Sequence, residues 1–292
     1  RSRTREFSRS VCMERNMWNQ PHLNTQLFLN YKGFEAIAGL EDYMAVRSLH
    51  LGNNNIAKIE GLDRMSDLRS LDLQGNRIRL VDGLEGNKEL RQLNLENNGI
   101  QSLGCLDYLV KLEHLNLSRN NIEALESLEG LKSLPALGNV DVSHNRIEAT
   151  EGIVEFWAAM PAQVKVLRYH GNPGIRNIEN YRKRLINALP SLTYLDERPV
   201  LPVERRSCAA WAEGGLQAMH KAKRAFHEER QKLETTVDPE RREFLTRMRK
   251  AALARIEREE REREEQEEQR RLGKTASTKA LAPAAADGGG ED

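Results

Sequence analysis

The stretch that decides the fold is LRSLDLQGNRIRLVDGL, Leu68–Leu84, because the chain goes on to repeat it. LRQLNLENNGIQSLGCL follows from Leu90 and LEHLNLSRNNIEALESL from Leu112, each 22 residues after the one before. Working outward, the paired apolar positions recur at Leu27/Leu29, Leu49/Leu51, Leu71/Leu73, Leu93/Leu95 and Leu115/Leu117. Looser copies continue at Val140/Val142, Leu167/Tyr169 and Leu192/Tyr194, with steps of 25, 27 and 25 residues. A fixed period of this length marks stacked coils. Residues i and i+2 of each LxL triplet fall on one face of a strand, toward a core, and the residue between them faces solvent. The apolar residues that follow, Ile78, Val81 and Leu84 in the first quoted copy, bring the chain back around the same core. One coil alone leaves that apolar face in water, and stacking buries it. Eight strands predict a parallel sheet roughly 34 Å wide on a concave face, with short helical turns on the return side.

The pattern LxxLxLxxNxI is that of the leucine-rich repeat in its 22-residue form, with further apolar positions (xxIxxL) on the return segment. The expected fold is therefore an α/β solenoid over residues 23–201, preceded by a flexible segment, 1–22. A column of asparagines, Asn54, Asn76, Asn98, Asn120, Asn145 and Asn172, stands where each strand ends. A carboxamide carries both a donor and an acceptor, so this column reads as a structural ladder that satisfies turning backbone. The first copy carries Lys32 at the same position. A solenoid exposes raw core at its ends. From Asn180, NYRKRLINALPSLTYLDERPV reads as a basic amphipathic helix leading into a strand, within a cap over about residues 175–201. Tyr181, Leu185, Ile186, Leu189, Leu192 and Leu195 are expected to cover the last coil, and Trp18 and Leu23 are the apolar candidates at the other end.

Past Leu201 the repeat stops, and only six of the 38 leucines remain. Residues 202–237 read as a helical connector with a stripe of Leu216, Met219, Phe226 and Leu233, and Gly214–Gly215 is a hinge in it. Asp238–Pro239 is a helix start. It opens a charged single helix, 238–272, with 11 acidic and 11 basic residues and an initial apolar stripe of Leu245, Met248, Ala252 and Ile256. Alternating signs there favour a solvated helix held by i,i+4 ion pairs. The Ala/Gly/Ser tail, 273–292, is expected to be disordered.

The chain carries 45 Lys+Arg against 44 Asp+Glu, a formal net charge of +1. That balance argues against a phosphate-binding surface, which needs surplus cation. No apolar run approaches the ~18 residues of a membrane span. Cys12, Cys105 and Cys208 are too far apart for a disulfide framework or a metal-ligand motif, and they suit a reducing compartment. The opening RSRTREFSRS has neither a signal-peptide core nor an initiator Met, so the true start is expected to be missing from a soluble intracellular protein. Catalysis needs convergent groups. His50 and His170 face the concave side five coils apart, roughly 24 Å at the strand spacing, with His114 between them. Cys105 reads as a small buried thiol on a return segment. GNPG at Gly171 lacks the Lys and Ser/Thr of a phosphate-binding loop. The reading therefore assigns no catalytic residue, no metal ligand, no cofactor and no small-molecule substrate.

Function is expected instead on the concave outward positions. They run Ser48/His50/Gly52, Ser70/Asp72/Gln74, Gln92/Asn94/Glu96, His114/Asn116/Ser118, Asn139/Asp141/Ser143 and Val166/Arg168/His170. The central set, His50, Asp72, Asn94, Asn116, Asp141 and Arg168, is the candidate protein-binding face. Three flanking stretches go beyond a generic repeat: HLNTQLFLNYKGFEAIAGLEDY from His22, GNPGIRNIENYRKRLINALPSLTYLDERPV from Gly171, and LPVERRSCAAWAEGGL from Leu201. From His22 to Leu216 the chain resembles the axonemal dynein assembly factor 1 family of motile cilia and flagella. The resemblance implies a non-enzymatic cytoplasmic factor that preassembles dynein arms. Its implied partners are axonemal dynein chains and chaperones, and its implied location is the cytoplasm and the cilium. Two alternatives share the repeat: a structural or regulatory component of the axoneme, and a phosphatase- or ribonucleoprotein-associated subunit.

Overall fold

A computed structural model describes residues 20–148, 152–160 and 164–236, together with residue 247. The expectations for Trp18, for the charged helix 238–272 apart from residue 247, and for the tail 273–292 lie outside the described residues. So does the Leu233 side chain.

One short strand per coil builds a nine-stranded sheet. In chain order these are β1 (Gln26–Phe28), β2 (Ser48–His50), β3 (Ser70–Asp72), β5 (Gln92–Asn94), β7 (His114–Asn116), β8 (Asn139–Asp141), β9 (Val166–Arg168), β10 (Tyr194–Leu195) and β11 (Arg198–Pro199). Every pairing is parallel except β10 with β11, which closes the row antiparallel. The register runs Leu27, Leu49, Leu71, Leu93, Leu115, Val140, Leu167, Leu195, each opposite the next. This corrects the last copy of the repeat. Leu195 occupies the position given above to Leu192, and Leu192 takes the preceding apolar place of LxxLxL. The terminal helix lengthens that coil by three residues, so an even step in sequence picks the wrong leucine.

The return side is more varied than a row of helical turns. In two neighbouring coils it is extended, and β4 (Leu80–Val81) pairs in parallel with β6 (Ser102–Leu103). Residues Glu126–Ser133 form 3-10 turns, and α1 (Ile153–Ala158) is an α-helix. Cys105 is exposed, against the expectation of burial. It follows Gly104, whose N–H bonds the Val81 carbonyl at 3.0 Å, and in that extended path the inward places belong to Leu103 and Leu106. One continuous core runs between the two sides, from Leu27 to Leu195, with Cys208 joining it from the following helix.

The C-terminal end is sealed by α2 (Tyr181–Ala188), whose Leu185 and Ile186 are fully buried, together with Leu189, Leu192 and Leu195. Tyr181 is half-buried against the same core. The last rung needs a special device. In earlier coils the amide after each strand donates to a backbone carbonyl of the next, as Leu117 N does to Asp141 O at 2.7 Å. Asp196, just past β10, turns away with φ +54°, and its carboxylate takes the place of the backbone acceptor, receiving Tyr169 N and His170 N, both at 2.9 Å.

Helix α3 (Pro202–Thr236) follows, with non-helical backbone at Gly214 and Gly215. Its first turns clasp the cap. Arg182 donates to both Glu204 carboxylate oxygens at 2.6 and 2.8 Å and to the Leu195 and Pro199 carbonyls at 3.0 Å. Arg205 caps the end of α2 through the Ile186, Leu189 and Leu192 carbonyls. The described residues divide into two compact units between Arg224 and Ala225. In the first, Leu216 is exposed and Met219 half-buried; in the second, Phe226 stands beside His227 with ring centroids 6.2 Å apart. No helix among the described residues is long and apolar enough to cross a membrane.

Candidate protein-binding face

Alternation along three-residue strands puts the middle leucine inside and leaves its two neighbours on the concave surface. Parallel register then aligns equivalent neighbours from coil to coil. His50, Asp72, Asn94, Asn116, Asp141 and Arg168 accordingly form one line, since each is the register partner of the next. With Ser70, Gln92, His114, Asn139 and Val166 they line a shallow groove of about 520 Å³.

Within that line the side chains bond to one another. Asn94 Nδ2 donates to Asp72 Oδ1 at 2.9 Å, and His50 Nδ1 lies 3.9 Å from Asp72 Oδ2. Arg168 Nη1 lies 3.5 Å from Asp141 Oδ2. One column further along, Glu96 receives Asn116 Nδ2 at 3.5 Å and faces Arg119 Nε at 3.4 Å. Four of the six also have a local task. Asp72, Asn94, Asn116 and Asp141 each accept the N–H two residues on, from Gln74, Glu96, Ser118 and Ser143 at 3.0–3.2 Å. This Asx turn ends the strand, so the column is fixed in conformation before any partner arrives.

The asparagine column lies just beyond and faces inward. Asn76 shows the arrangement: Oδ1 accepts from Ile56 N at 3.0 Å, while Nδ2 donates to Leu51 O at 3.0 Å and Leu73 O at 2.9 Å. Asn98, Asn120, Asn145 and Asn172 repeat it with Ile78, Ile100, Ile122 and Ile147. Asn54 takes the Lys32 and Phe34 amides. Every member joins its own coil to the one before.

His50 and His170 stand on β2 and just past β9, with four strands between them. His170 meets a neighbour the sequence pattern did not single out: His144, edge-on at 5.0 Å between ring centroids. Among the described residues no group of three or more His, Cys, Asp or Glu could hold a metal ion. Burial pushes the Tyr108 phenol up to about 12 and raises Tyr169 and Tyr181 further. The Arg182 hydrogen bond holds the Glu204 carboxyl below its usual range.

Repeat, register and ladder make this a leucine-rich-repeat protein, and the family model for leucine-rich repeats in two copies matches residues 45–86 and 88–130. Internalin C2 of Listeria monocytogenes shares the fold, with a TM-score of 0.51 at 19% identity over 67% of this chain and 87% of that one.

Within that class the chain is a homologue of the dynein axonemal assembly factor 1 proteins over most of its length. It is 49% identical over 248 residues to leucine-rich repeat-containing protein ODA7 of Chlamydomonas reinhardtii, covering 85% of this chain and 56% of that one. It is 54% identical over 233 residues to dynein axonemal assembly factor 1 of Homo sapiens, covering 80% of this chain and 32% of that one. The chain thus spans 56% of the length of the first of these relatives and 32% of the second.

Proposed function

We propose that this chain is a non-enzymatic scaffold for the cytoplasmic preassembly of axonemal dynein arms, working in the cytoplasm and at the cilium or flagellum. The observation that carries the reading is the 54% identity over 233 residues, 80% of this chain, to a protein named dynein axonemal assembly factor 1. The geometry supports a binding role. A concave line of small polar and charged side chains is preorganised by Asx turns, so a partner meets a surface whose conformational entropy is already spent. In this reading axonemal dynein chains and the assembly factors and chaperones that handle them are the partners, and the line from His50 to Arg168 is where they dock. Deleting the gene in a ciliated cell and imaging axoneme cross-sections tests the proposal. The expected result is loss of dynein arms, restored by the wild-type gene; arms in normal number overturn it.

A further inference from the structure

One residue before β2, β3 and β5 stands an arginine: Arg47, Arg69 and Arg91. The backbone threads them in register. Arg69 N donates to Arg47 O at 2.8 Å, Arg91 N to Arg69 O at 2.9 Å, and Glu113 N to Arg91 O at 2.9 Å. Three guanidinium stems are therefore anchored one strand spacing apart, about 4.8 Å. All three residues are exposed. Among the described residues Arg47 and Arg69 form no ion pair, while Arg91 reaches Glu113 Oε1 at 2.7 Å. The nearby Glu89 carboxylate is held by Lys111 Nζ at 2.5 Å, and the more distant charges of Arg69 and Arg91 also favour its ionised form.

The fold does not ask for arginine here. The same backbone bonds form where the column carries Gly138 and Lys165: Gly138 N meets Glu113 O at 3.0 Å, and Lys165 N meets Gly138 O at 2.7 Å. Like charges on adjacent rungs repel, so the row is a small cost that folding does not explain.

The geometry points to a docking edge for an α-helix with a stripe of acidic residues, laid across the strands. One helical turn rises 5.4 Å, about 0.6 Å more than a rung, so carboxylates at i, i+4 and i+7 meet the three guanidiniums in order. Each contact suits a paired carboxylate–guanidinium bond, and the flexible arginine stems absorb the small mismatch. An extended peptide repeats its face every ~6.8 Å and is out of step by the third rung. A nucleic-acid backbone wants cation throughout, whereas this column turns acidic at Glu113 and neutral at Gly138. The edge lies upstream of the concave line and stands independently of the dynein reading.

The probe is a fluorescein-labelled alanine-based helix with glutamates at i, i+4 and i+7, compared with a peptide of the same composition whose glutamates lie on different faces. Anisotropy titration with the full chain is expected to favour the striped peptide by about tenfold, less at high salt. Arg47→Glu with Arg69→Glu should remove that preference and favour a lysine-striped peptide instead, a reversal that misfolding cannot produce. Arg47→Ala with Arg69→Ala should weaken binding with an unchanged melting curve. Equal binding of both acidic peptides, no binding of either, or retention of the preference in the Glu variant overturns the inference. So does a single-stranded oligonucleotide that binds as tightly as the striped peptide.

Discussion

Asn76→Ala isolates what one rung of the asparagine ladder contributes. The three carbonyls that Asn76 serves each keep another donor: Leu51 O retains Asn54 Nδ2 at 2.8 Å, Leu73 O retains Asn98 Nδ2 at 3.0 Å, and Gln74 O, a longer contact at 3.3 Å, retains Asn53 N at 2.7 Å. The loss therefore concentrates on the Ile56 amide, on a fully buried residue, which bonds to Asn76 Oδ1. An orphaned buried donor costs about 1–3 kcal/mol, and each weakened carbonyl contact adds about 0.5–1 kcal/mol. The expected destabilisation is about 3 kcal/mol, read from urea unfolding followed by far-UV circular dichroism, with faster amide exchange at Ile56. Asn76→Asp sharpens the test. It keeps the acceptor for Ile56 but points a carboxylate at the Leu51 and Leu73 carbonyls, so the ionised form is disfavoured in the native state and its pKa rises. A raised acid pKa makes the folded state bind more protons. The variant should then come nearest to wild type below about pH 4, the unfolded Asp value, and lose ground as pH rises above it. A loss under about 0.5 kcal/mol for Asn76→Ala, or an Asp variant that gains stability as pH rises, refutes the ladder as a set of shared backbone partners.

Three further outcomes are expected. Asp72→Asn with Asp141→Asn keeps both Asx acceptors but removes two charges from the concave line, so pull-down of dynein chains should fall severalfold at an unchanged melting temperature; full capture refutes that face as the docking site. In native protein iodoacetamide should label the exposed Cys105, while Cys208, 2% exposed and with its thiol pKa raised by burial, should label only after unfolding, as peptide mapping can show. Glu204→Gln weakens the bidentate clasp to Arg182 and should cost about 1 kcal/mol at neutral pH. Because the Glu204 pKa is lowered, that contribution is present above the ordinary carboxylate range and is lost as pH falls through the folded value. Parallel pH–stability curves for variant and wild type count against it.

The sequence carried the solenoid plainly, because each LxL pair and each asparagine answers to one physical requirement repeated coil after coil. It carried less of the exceptions. The end of the sheet depends on the Asp196 carboxylate accepting where a backbone carbonyl serves in earlier coils, and no periodicity announces a side chain standing in for backbone. Cys105 lies outside the core because the return path there is extended, with Ser102–Leu103 paired to Leu80–Val81 of the neighbouring coil, a pairing that the repeat pattern does not announce. The Arg182–Glu204 and Arg205 contacts join residues 13–22 positions apart on different elements, and the charges alone do not say which will meet. On the concave line, Asp72 and Asp141 read in sequence only as outward-facing candidates for binding; in the fold each also accepts an amide of its own turn.

Regularity therefore weighs differently at different places in a repeat. The leucines and the inward asparagines recur because a coil lacking them loses buried area or orphans an amide, so their recurrence explains stability and says little about partners. Outward positions are under no such demand. The column that holds Arg47, Arg69 and Arg91 accepts Thr25, Glu113, Gly138, Lys165 and Thr193 in other coils with the same backbone bonds intact. Three arginines in succession, two of them in no ion pair among the described residues, add mutual repulsion that the Glu89 carboxylate offsets only in part. A run of one charge at positions the fold leaves free, set at a spacing an α-helix can match, is better explained by something that binds there than by the solenoid that displays it.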